Sequence, residues 1–121
     1  MVLKSYRELT VWQEAMSLVE LIYTQTTSFP SEERYGLTQQ IRRAAVSVPS
    51  NIAEGHARDS TKDYLRHLSI ARGSLAEVET QLLLATRLRY LPTEQFEKIE
   101  QTLDGISRML RGLQKSLRTK L

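Results

Sequence analysis

Apolar residues recur every three or four positions along almost the whole chain, in four segments separated by short polar or proline-containing stretches. This spacing predicts amphipathic α-helices over residues 10–27, 31–55, 60–89 and 93–118. The last two segments carry the longest stripes, with the spacing typical of helices packed in a left-handed bundle. These stripes are Tyr64, Leu68, Ala71, Leu75, Val78, Leu82, Ala85 and Phe96, Ile99, Leu103, Ile106, Leu110, Leu113, Leu117.

The links between the segments are short, which forces consecutive helices to run antiparallel. We therefore predict an all-α fold, an antiparallel up-down four-helix bundle in which residues 1–121 form one domain. Pro49 lies inside the second helix and crowds the carbonyl of Ala45, so it predicts a kink and not a break. Ser31 and Ser60 are candidate N-caps for the second and third helices, and Gly55 is a candidate C-cap.

The first helix carries two neighbouring apolar stripes, Val11, Ala15, Leu18, Ile22 and Trp12, Met16, Val19, Tyr23. One stripe suffices for packing inside a bundle, so the pair predicts more apolar surface than one chain can bury. We expect copies of the chain to associate through this helix, with Val11, Leu18 and Ile22 at the subunit interface.

Polar residues run beside the core stripes of the second and third helices. The two lines are Arg43, Ser47, Asn51, Glu54, Arg58 and Arg66, Ser74, Glu77, Gln81. Polar groups that flank an apolar seam set register and partner choice in helical assemblies. The predicted interface residues from these lines are Arg43, Ser47, Asn51, Glu54, Ser74 and Glu77. The alternative is that these residues are solvated positions beside the seam with no role in assembly. The sequence favours neither interpretation.

Composition narrows the classes of function. The chain has no cysteine, which excludes disulfides, thiolate metal sites and cysteine nucleophiles. Lys4, Arg7 and Glu8 interrupt the apolar stretch that a signal peptide would need, and no apolar run reaches membrane-spanning length. We expect a cytoplasmic protein that does not enter a membrane.

Candidate chemistry is sparse. Neither histidine, His56 or His67, follows a glutamate by three positions, as the inward-facing di-iron motif of helical bundles requires. Asp63 and His67 lie one helical turn apart, and we interpret them as a solvated surface pair in preference to metal ligands. The sequence contains no glycine-rich phosphate loop, catalytic triad or His-Glu-x-x-His motif. We predict a protein that is not an enzyme and that uses no metal or cofactor.

Positive charge is concentrated at the C-terminal end. The net charge is +3, but residues 105–121 carry five basic side chains and no acidic one, while residues 1–104 carry 12 basic and 14 acidic ones. The five are Arg108, Arg111, Lys115, Arg118 and Lys120. The first four lie about 200° around the helix from the core stripe, which predicts a cationic ridge that contacts nucleic-acid phosphates. A solvated face that complements the helix dipole is the alternative.

Several stretches of the sequence resemble a known family. They are Leu9-Thr10-Val11-Trp12, residues 36–55 with the string Ser47-Val48-Pro49-Ser50-Asn51-Ile52-Ala53-Glu54-Gly55, residues 64–77 and residues 85–88. Over nearly its whole length the chain is similar to bacterial four-helix-bundle proteins encoded in intervening sequences of 23S rRNA genes. A related group, the accessory variability determinants of diversity-generating retroelements, forms homopentameric barrels whose basic surface binds nucleic acid and reverse transcriptase.

The resemblance implies a homopentamer with a basic outer surface. Together with the cationic ridge, it leads us to expect a non-catalytic, oligomeric nucleic-acid-binding or accessory protein, with RNA, DNA or another protein as its partner. The alternative, from a different functional class, is a protein-interaction scaffold that has no nucleic-acid role.

Overall fold

The computed structural model describes residues 5–121, which form four α-helices and two short 3₁₀ turns. The helices are α1 (Thr10–Thr26), α2 (Leu37–His56), α3 (Thr61–Arg87) and α4 (Thr93–Arg118), and the 3₁₀ turns are Tyr6–Glu8 and Ser31–Glu33. This part of the chain contains no β-strand. The prediction of an all-α four-helix bundle is confirmed.

Consecutive helices are antiparallel, because contacts pair the start of one helix with the end of the next. Between α2 and α3, Gln40 faces Gln81 across 3.5 Å, whereas Asn51 reaches back to His67 at 3.0 Å. Helix α1 packs on α2 and α4, and α3 packs on the same two helices from the other side. The four helices thus surround one apolar core, to which α3 and α4 contribute their predicted stripes except for Tyr64 and Leu113, which are only partly buried.

The second helix begins later than its sequence predicts. Ser31 does not cap it but starts a 3₁₀ turn, and α2 begins only at Leu37, after Gly36 leaves the helical conformation with φ −113° and ψ −116°. The cap is the carboxylate of Glu33, whose Oε1 accepts a hydrogen bond from the backbone N–H of Leu37 at 3.1 Å. Helix α2 then continues through Pro49 without a break. The kink at Pro49 stays a prediction.

Gly55 is not a C-cap; it lies inside α2 and is buried against α3. A Cβ atom at this position would lie 2.9 Å from His67 Cβ, 2.9 Å from Tyr64 Cδ1 and 3.3 Å from the backbone oxygen of Tyr64. Such distances are shorter than ordinary van der Waals contact, so a side chain here would push the two helices apart. The glycine therefore permits close packing of α2 on α3.

The turn between α3 and α4 fixes where α3 ends. The N–H of Tyr90 donates to the carbonyl of Ala85 at 2.9 Å and the N–H of Arg89 to that of Thr86 at 3.0 Å, which is the Schellman pattern. Arg89 takes the left-handed conformation, with φ 65°, that this pattern usually assigns to glycine. The Tyr90 hydroxyl donates to Glu33 Oε2 at 3.0 Å and so connects this turn to the segment before α2.

Ser60 caps α3 as predicted, because its side-chain oxygen accepts a hydrogen bond from the N–H of Asp63 at 3.2 Å. Helix α3 is also the longest of the four, and its seam is buried along the length of the bundle. Over residues 5–121, no helix combines the length and the apolar character that crossing a bilayer requires.

Candidate nucleic-acid and subunit surfaces

The apolar stripe of α1 that we expected at the subunit interface is the stripe that enters the core. Val11 is 5% exposed, and Leu18 and Ile22 are 0% exposed, within a single chain. These three residues belong to the core of a single chain, so they have no surface left for another copy. Their assignment to the interface was wrong, because the choice between stripes one residue apart depends on how α1 rotates against its neighbours.

The second stripe of α1 lies at the surface. Met16 is 40% exposed and Tyr23 is 44% exposed, while Trp12 and Val19 are half-buried. With neighbouring residues of α2 this stripe borders a groove of about 370 Å³, which we call the apolar groove. Its lining residues are Tyr6, Trp12, Met16, Val19, Val46, Pro49, Ser50 and Ala53. The excess apolar surface that the sequence predicts on α1 is therefore present, but on the other stripe.

The polar lines of α2 and α3 meet each other inside the chain. Ser47 Oγ accepts hydrogen bonds from the Ser74 hydroxyl at 2.8 Å and from Asn51 Nδ2 at 3.0 Å. Asn51 Nδ2 also donates to the backbone carbonyl of Ser47 at 2.9 Å, and its Oδ1 lies 3.0 Å from His67 Nδ1. Ser47, Asn51 and Ser74 thus hold α2 to α3 within one protomer. Their hydrogen-bonding groups already have partners within the protomer. A subunit contact is therefore not needed to explain why polar residues occupy these positions.

His67 is part of this network and not of a surface pair with Asp63. It is 5% exposed, its Nδ1 faces Asn51 and lies 3.6 Å from Glu54 Oε2, and its Nε2 is buried without a hydrogen-bond partner within residues 5–121. Because Asn51 presents its oxygen to the ring, the Nδ1 atom must carry a proton to donate. In the described part of the chain, no three His, Cys, Asp or Glu side chains are grouped so that they could hold a metal ion.

The remaining predicted interface residues, Arg43, Glu54 and Glu77, are exposed. Arg43 and Glu77 border a shallow polar cleft of about 360 Å³ between α2 and α3, with Ser47 at its base. They are available to a partner molecule, whereas Ser47 beneath them is already hydrogen-bonded.

The cationic ridge of α4 lies on the solvent side of the bundle. Arg108, Arg111, Lys115 and Arg118 are exposed, as is Lys120 just beyond the end of the helix. The intervening seam residues Ile106 and Leu110 are buried in the core, so the ridge points away from the bundle interior as its spacing predicts. Lys115 and Arg118 also lie in the last turn of α4, where positive charge complements the helix dipole.

The basic side chains of residues 5–121 are not neutralised by neighbouring carboxylates. Within this range no arginine or lysine comes within 4.0 Å of an acidic side chain, and the one close charge contact is that of His67 with Glu54. The ridge in the C-terminal half of α4 therefore presents its positive charge without close ion pairs. This is the electrostatic requirement for binding phosphate groups.

A second polar contact, between α3 and α4, could not be predicted. Gln114 is 1% exposed, donates to Ser69 Oγ at 3.1 Å and accepts from Arg72 Nη1 at 3.1 Å. It occupies the core position that the sequence pattern assigns to Leu113, which is only half-buried. The spacing of the seam allowed either residue at this position, since positions 110, 114 and 117 continue the seam as regularly as 110, 113 and 117.

Acidic residues crowd the opposite half of the α3–α4 contact. Burial raises the pKa of Glu79 above its ordinary value of 4.5, and the nearby carboxylates of Glu100 and Asp104 raise it further. Like charges thus face each other there, in a cleft that Arg72 also lines. The first half of α4 carries net negative charge and its second half net positive charge.

Comparison with known proteins gives the chain its family. The family of 23S rRNA-intervening sequence proteins matches residues 7–112. A solved structure from Bacteroides thetaiotaomicron, described as a protein with unknown function from the S23 ribosomal protein family, has 26% sequence identity and a TM-score of 0.78, and the match covers 88% of this chain and 99% of that one. No curated protein matches the sequence. The chain belongs to the 23S rRNA-intervening sequence protein family.

Proposed function

We propose that this protein is a non-catalytic, homo-oligomeric nucleic-acid-binding protein whose α4 ridge contacts the phosphate backbone. The observation that carries the proposal is the row of exposed basic residues on one face of α4, with no carboxylate partner within residues 5–121. Arginine and lysine arranged in this way bind phosphates without first breaking an ion pair. The family resemblance to proteins with a basic nucleic-acid-binding surface supports the same conclusion.

Oligomerisation strengthens this surface. We propose a homopentamer, on the resemblance described above, with the apolar groove of α1 and α2 as the subunit contact in place of Val11, Leu18 and Ile22. Exposed apolar residues such as Met16 and Val46 are stabilised when a second copy covers them. Five chains would carry a formal charge of about +15, so that individually weak phosphate contacts act together.

Native mass spectrometry and light scattering test the assembly. Five chains of 13.9 kDa give a particle of about 70 kDa. Replacing Met16 and Val19 together by glutamine should release the monomer, because these side chains lie in the groove. Replacing Glu14 and Ser17, exposed on another face of α1, by glutamine is the matched control. A wild-type monomer at micromolar concentration would contradict the proposed assembly.

Fluorescence anisotropy with a labelled 20-nucleotide RNA tests nucleic-acid binding. The variant with Arg108, Arg111 and Arg118 changed to glutamine should bind roughly tenfold or more weakly, with a shallower dependence on salt. The control changes Arg66, Arg87 and Lys98 to glutamine, which removes the same charge from exposed positions outside the ridge. Equal losses in both variants would show that only net charge matters and would contradict the assigned site.

The protein-interaction scaffold is the second candidate function, and the apolar groove is the observation that favours it. A wild-type protein that assembles normally but binds neither RNA nor DNA at low salt would replace our proposal with this one. Binding assays on the assembled protein therefore distinguish the two functions.

A further inference from the structure

A second basic surface lies at the opposite end of the bundle from the C-terminus of α4. Between the end of α1 and the first turns of α2 there is a groove of about 310 Å³, which we call the arginine–tyrosine groove. Its lining residues are Tyr23, Arg34, Tyr35, Thr38, Gln39, Arg42 and Arg43. An adjoining depression shares Arg34, Thr38 and Arg42 with it, and no acidic residue lines either of them.

One guanidinium group in this groove is held in a fixed position. Arg42 donates from Nε to Thr26 Oγ1 at 2.9 Å and from Nη2 to the carbonyl of Tyr23 at 3.3 Å, and its guanidinium lies 4.5 Å from the centre of the Tyr23 ring. All of these partners are uncharged, so the positive charge is positioned but not cancelled. A preorganised arginine loses little conformational freedom when it binds a phosphate.

The carboxylate of Glu33, which is next in sequence to Arg34, is engaged in two hydrogen bonds. Glu33 accepts the N–H of Leu37 with Oε1 at 3.1 Å and the hydroxyl of Tyr90 with Oε2 at 3.0 Å. The charge of Glu32 also acts on Tyr90, where together with Glu33 it raises the pKa of the phenol. No carboxylate lines the groove, and within residues 5–121 none lies within 4.0 Å of an arginine, although Glu77 borders the neighbouring cleft together with Arg43.

The groove also presents a free aromatic ring. Tyr35 is 82% exposed, and it lies next in sequence to Arg34 and in the same groove as Arg43. An exposed ring beside unneutralised arginines is the combination with which proteins bind unpaired bases: the base stacks on the ring and the adjacent phosphates contact the cations. An acidic peptide would use the arginines but would leave the tyrosine without a role.

We infer that the arginine–tyrosine groove binds single-stranded nucleic acid, with an unpaired base stacked on Tyr35 and its flanking phosphates on Arg34, Arg42 and Arg43. This inference rests on the proposed nucleic-acid binding and adds to it a preference for unpaired strands, which the α4 ridge alone does not provide. The α4 ridge would bind the phosphates of any strand, whereas the groove would favour strands whose bases are unpaired.

The test compares a labelled 12-nucleotide oligouridine with a 12-base-pair RNA duplex in anisotropy titrations of the full-length protein. Changing Tyr35 to alanine should weaken oligouridine binding about tenfold, while duplex binding stays within about twofold of wild type. Tyr35→Phe keeps the ring and should restore binding. The double variant Arg34→Gln with Arg43→Gln should weaken binding of both ligands, whereas Arg87→Gln is an exposed control outside the groove.

Photo-cross-linking gives a second readout that does not depend on affinity. An oligonucleotide containing 4-thiouridine should cross-link to the peptide that carries Tyr35, and mass spectrometry identifies the position. Ridge-dependent RNA binding that Tyr35→Ala leaves unchanged, with no cross-link in this peptide, overturns the groove alone. Failure of the wild-type protein to bind either ligand overturns both the groove and the proposed function.

Discussion

The contact between α2 and α3 and the groove between α1 and α2 differ both in the polarity of their residues and in their exposure to solvent. The α2–α3 contact contains the polar residues Ser47, Asn51 and Ser74, yet their side chains are hydrogen-bonded to one another within one chain. The α1–α2 groove contains apolar residues such as Met16 and Val46, yet it is open to solvent. The polarity of a surface therefore does not indicate whether it is free for a partner. That depends on whether the chain itself supplies the complementary groups.

The largest expected effect comes from breaking the closed contact at Gly55. Changing Gly55 to alanine places a Cβ within 2.9 Å of atoms of His67 and Tyr64 and should lower the free energy of unfolding by about 2 kcal/mol despite alanine's better helix propensity. Urea unfolding followed by circular dichroism measures the change. Gly73→Ala and Gly112→Ala are the controls, since a Cβ there meets nothing within 4 Å, and these variants should gain about 0.5–1 kcal/mol. A Gly55→Ala variant as stable as these controls would show that α2 and α3 are not closely packed.

The next effect concerns the polar network of the same contact. Asn51→Ala removes the acceptor for His67 Nδ1 and a donor to Ser47, so it should cost about 1–2 kcal/mol of unfolding free energy. Ser17→Ala, at an exposed position of α1 outside the groove, should change stability by less than about 0.5 kcal/mol. Equal stabilities of the two variants would mean that the network contributes nothing beyond the packing around it.

The α3–α4 contact sharpens the comparison, because around Glu79 it brings like charges together. The pKa of Glu79 is raised by burial and by Glu100 and Asp104, so protonating Glu79 stabilises the folded state, and this stability is lost as pH rises through the raised pKa. Glu79→Gln should therefore increase stability at pH 7, by less than about 1 kcal/mol because solvent screens the charges. Thermal unfolding at pH 7 and near pH 4 measures the gain, which should shrink at the lower pH. A gain that is the same at both pH values would exclude repulsion as its cause.

The smallest expected effect on folding lies in the open groove. Val46 is 40% exposed, and Val46→Ser should change the unfolding free energy of the separated protomer by less than about 0.5 kcal/mol. The protomer is obtained in the background of the Met16→Gln, Val19→Gln variant, so that assembly does not contribute to the measurement. A loss as large as that of Asn51→Ala would place the groove within the folding core and would count against its role as a contact between copies.

The sequence predicted the bundle well because its evidence is local and repeated. In α3 the residues from Leu68 to Ala85 that follow the 3–4 spacing are all buried, and Ser60 caps the helix where its position suggests. The exposure of the α4 ridge followed from the same periodicity, since a side chain about 200° from the seam cannot face the core.

What the sequence did not predict depends on the rotation and approach of neighbouring helices. The two stripes of α1 differ by one residue, or about 100° around the helix, and only the packing of α2 and α4 selects Leu18 over Met16. The burial of His67 requires Gly55 opposite it, and the burial of Gln114 requires Ser69 and Arg72. These partners are distant in sequence, so the local spacing allowed position 114 in the seam but could not select it over position 113.

The lack of carboxylate partners for the basic residues of the region 5–121 has a consequence for how ionic strength acts on this molecule. A fold held by close ion pairs weakens as salt screens them, whereas within residues 5–121 no arginine or lysine forms such a pair. Raising salt should thus detach a polyanion while the melting temperature hardly moves. Varying the salt concentration alone would then separate release of nucleic acid from loss of structure.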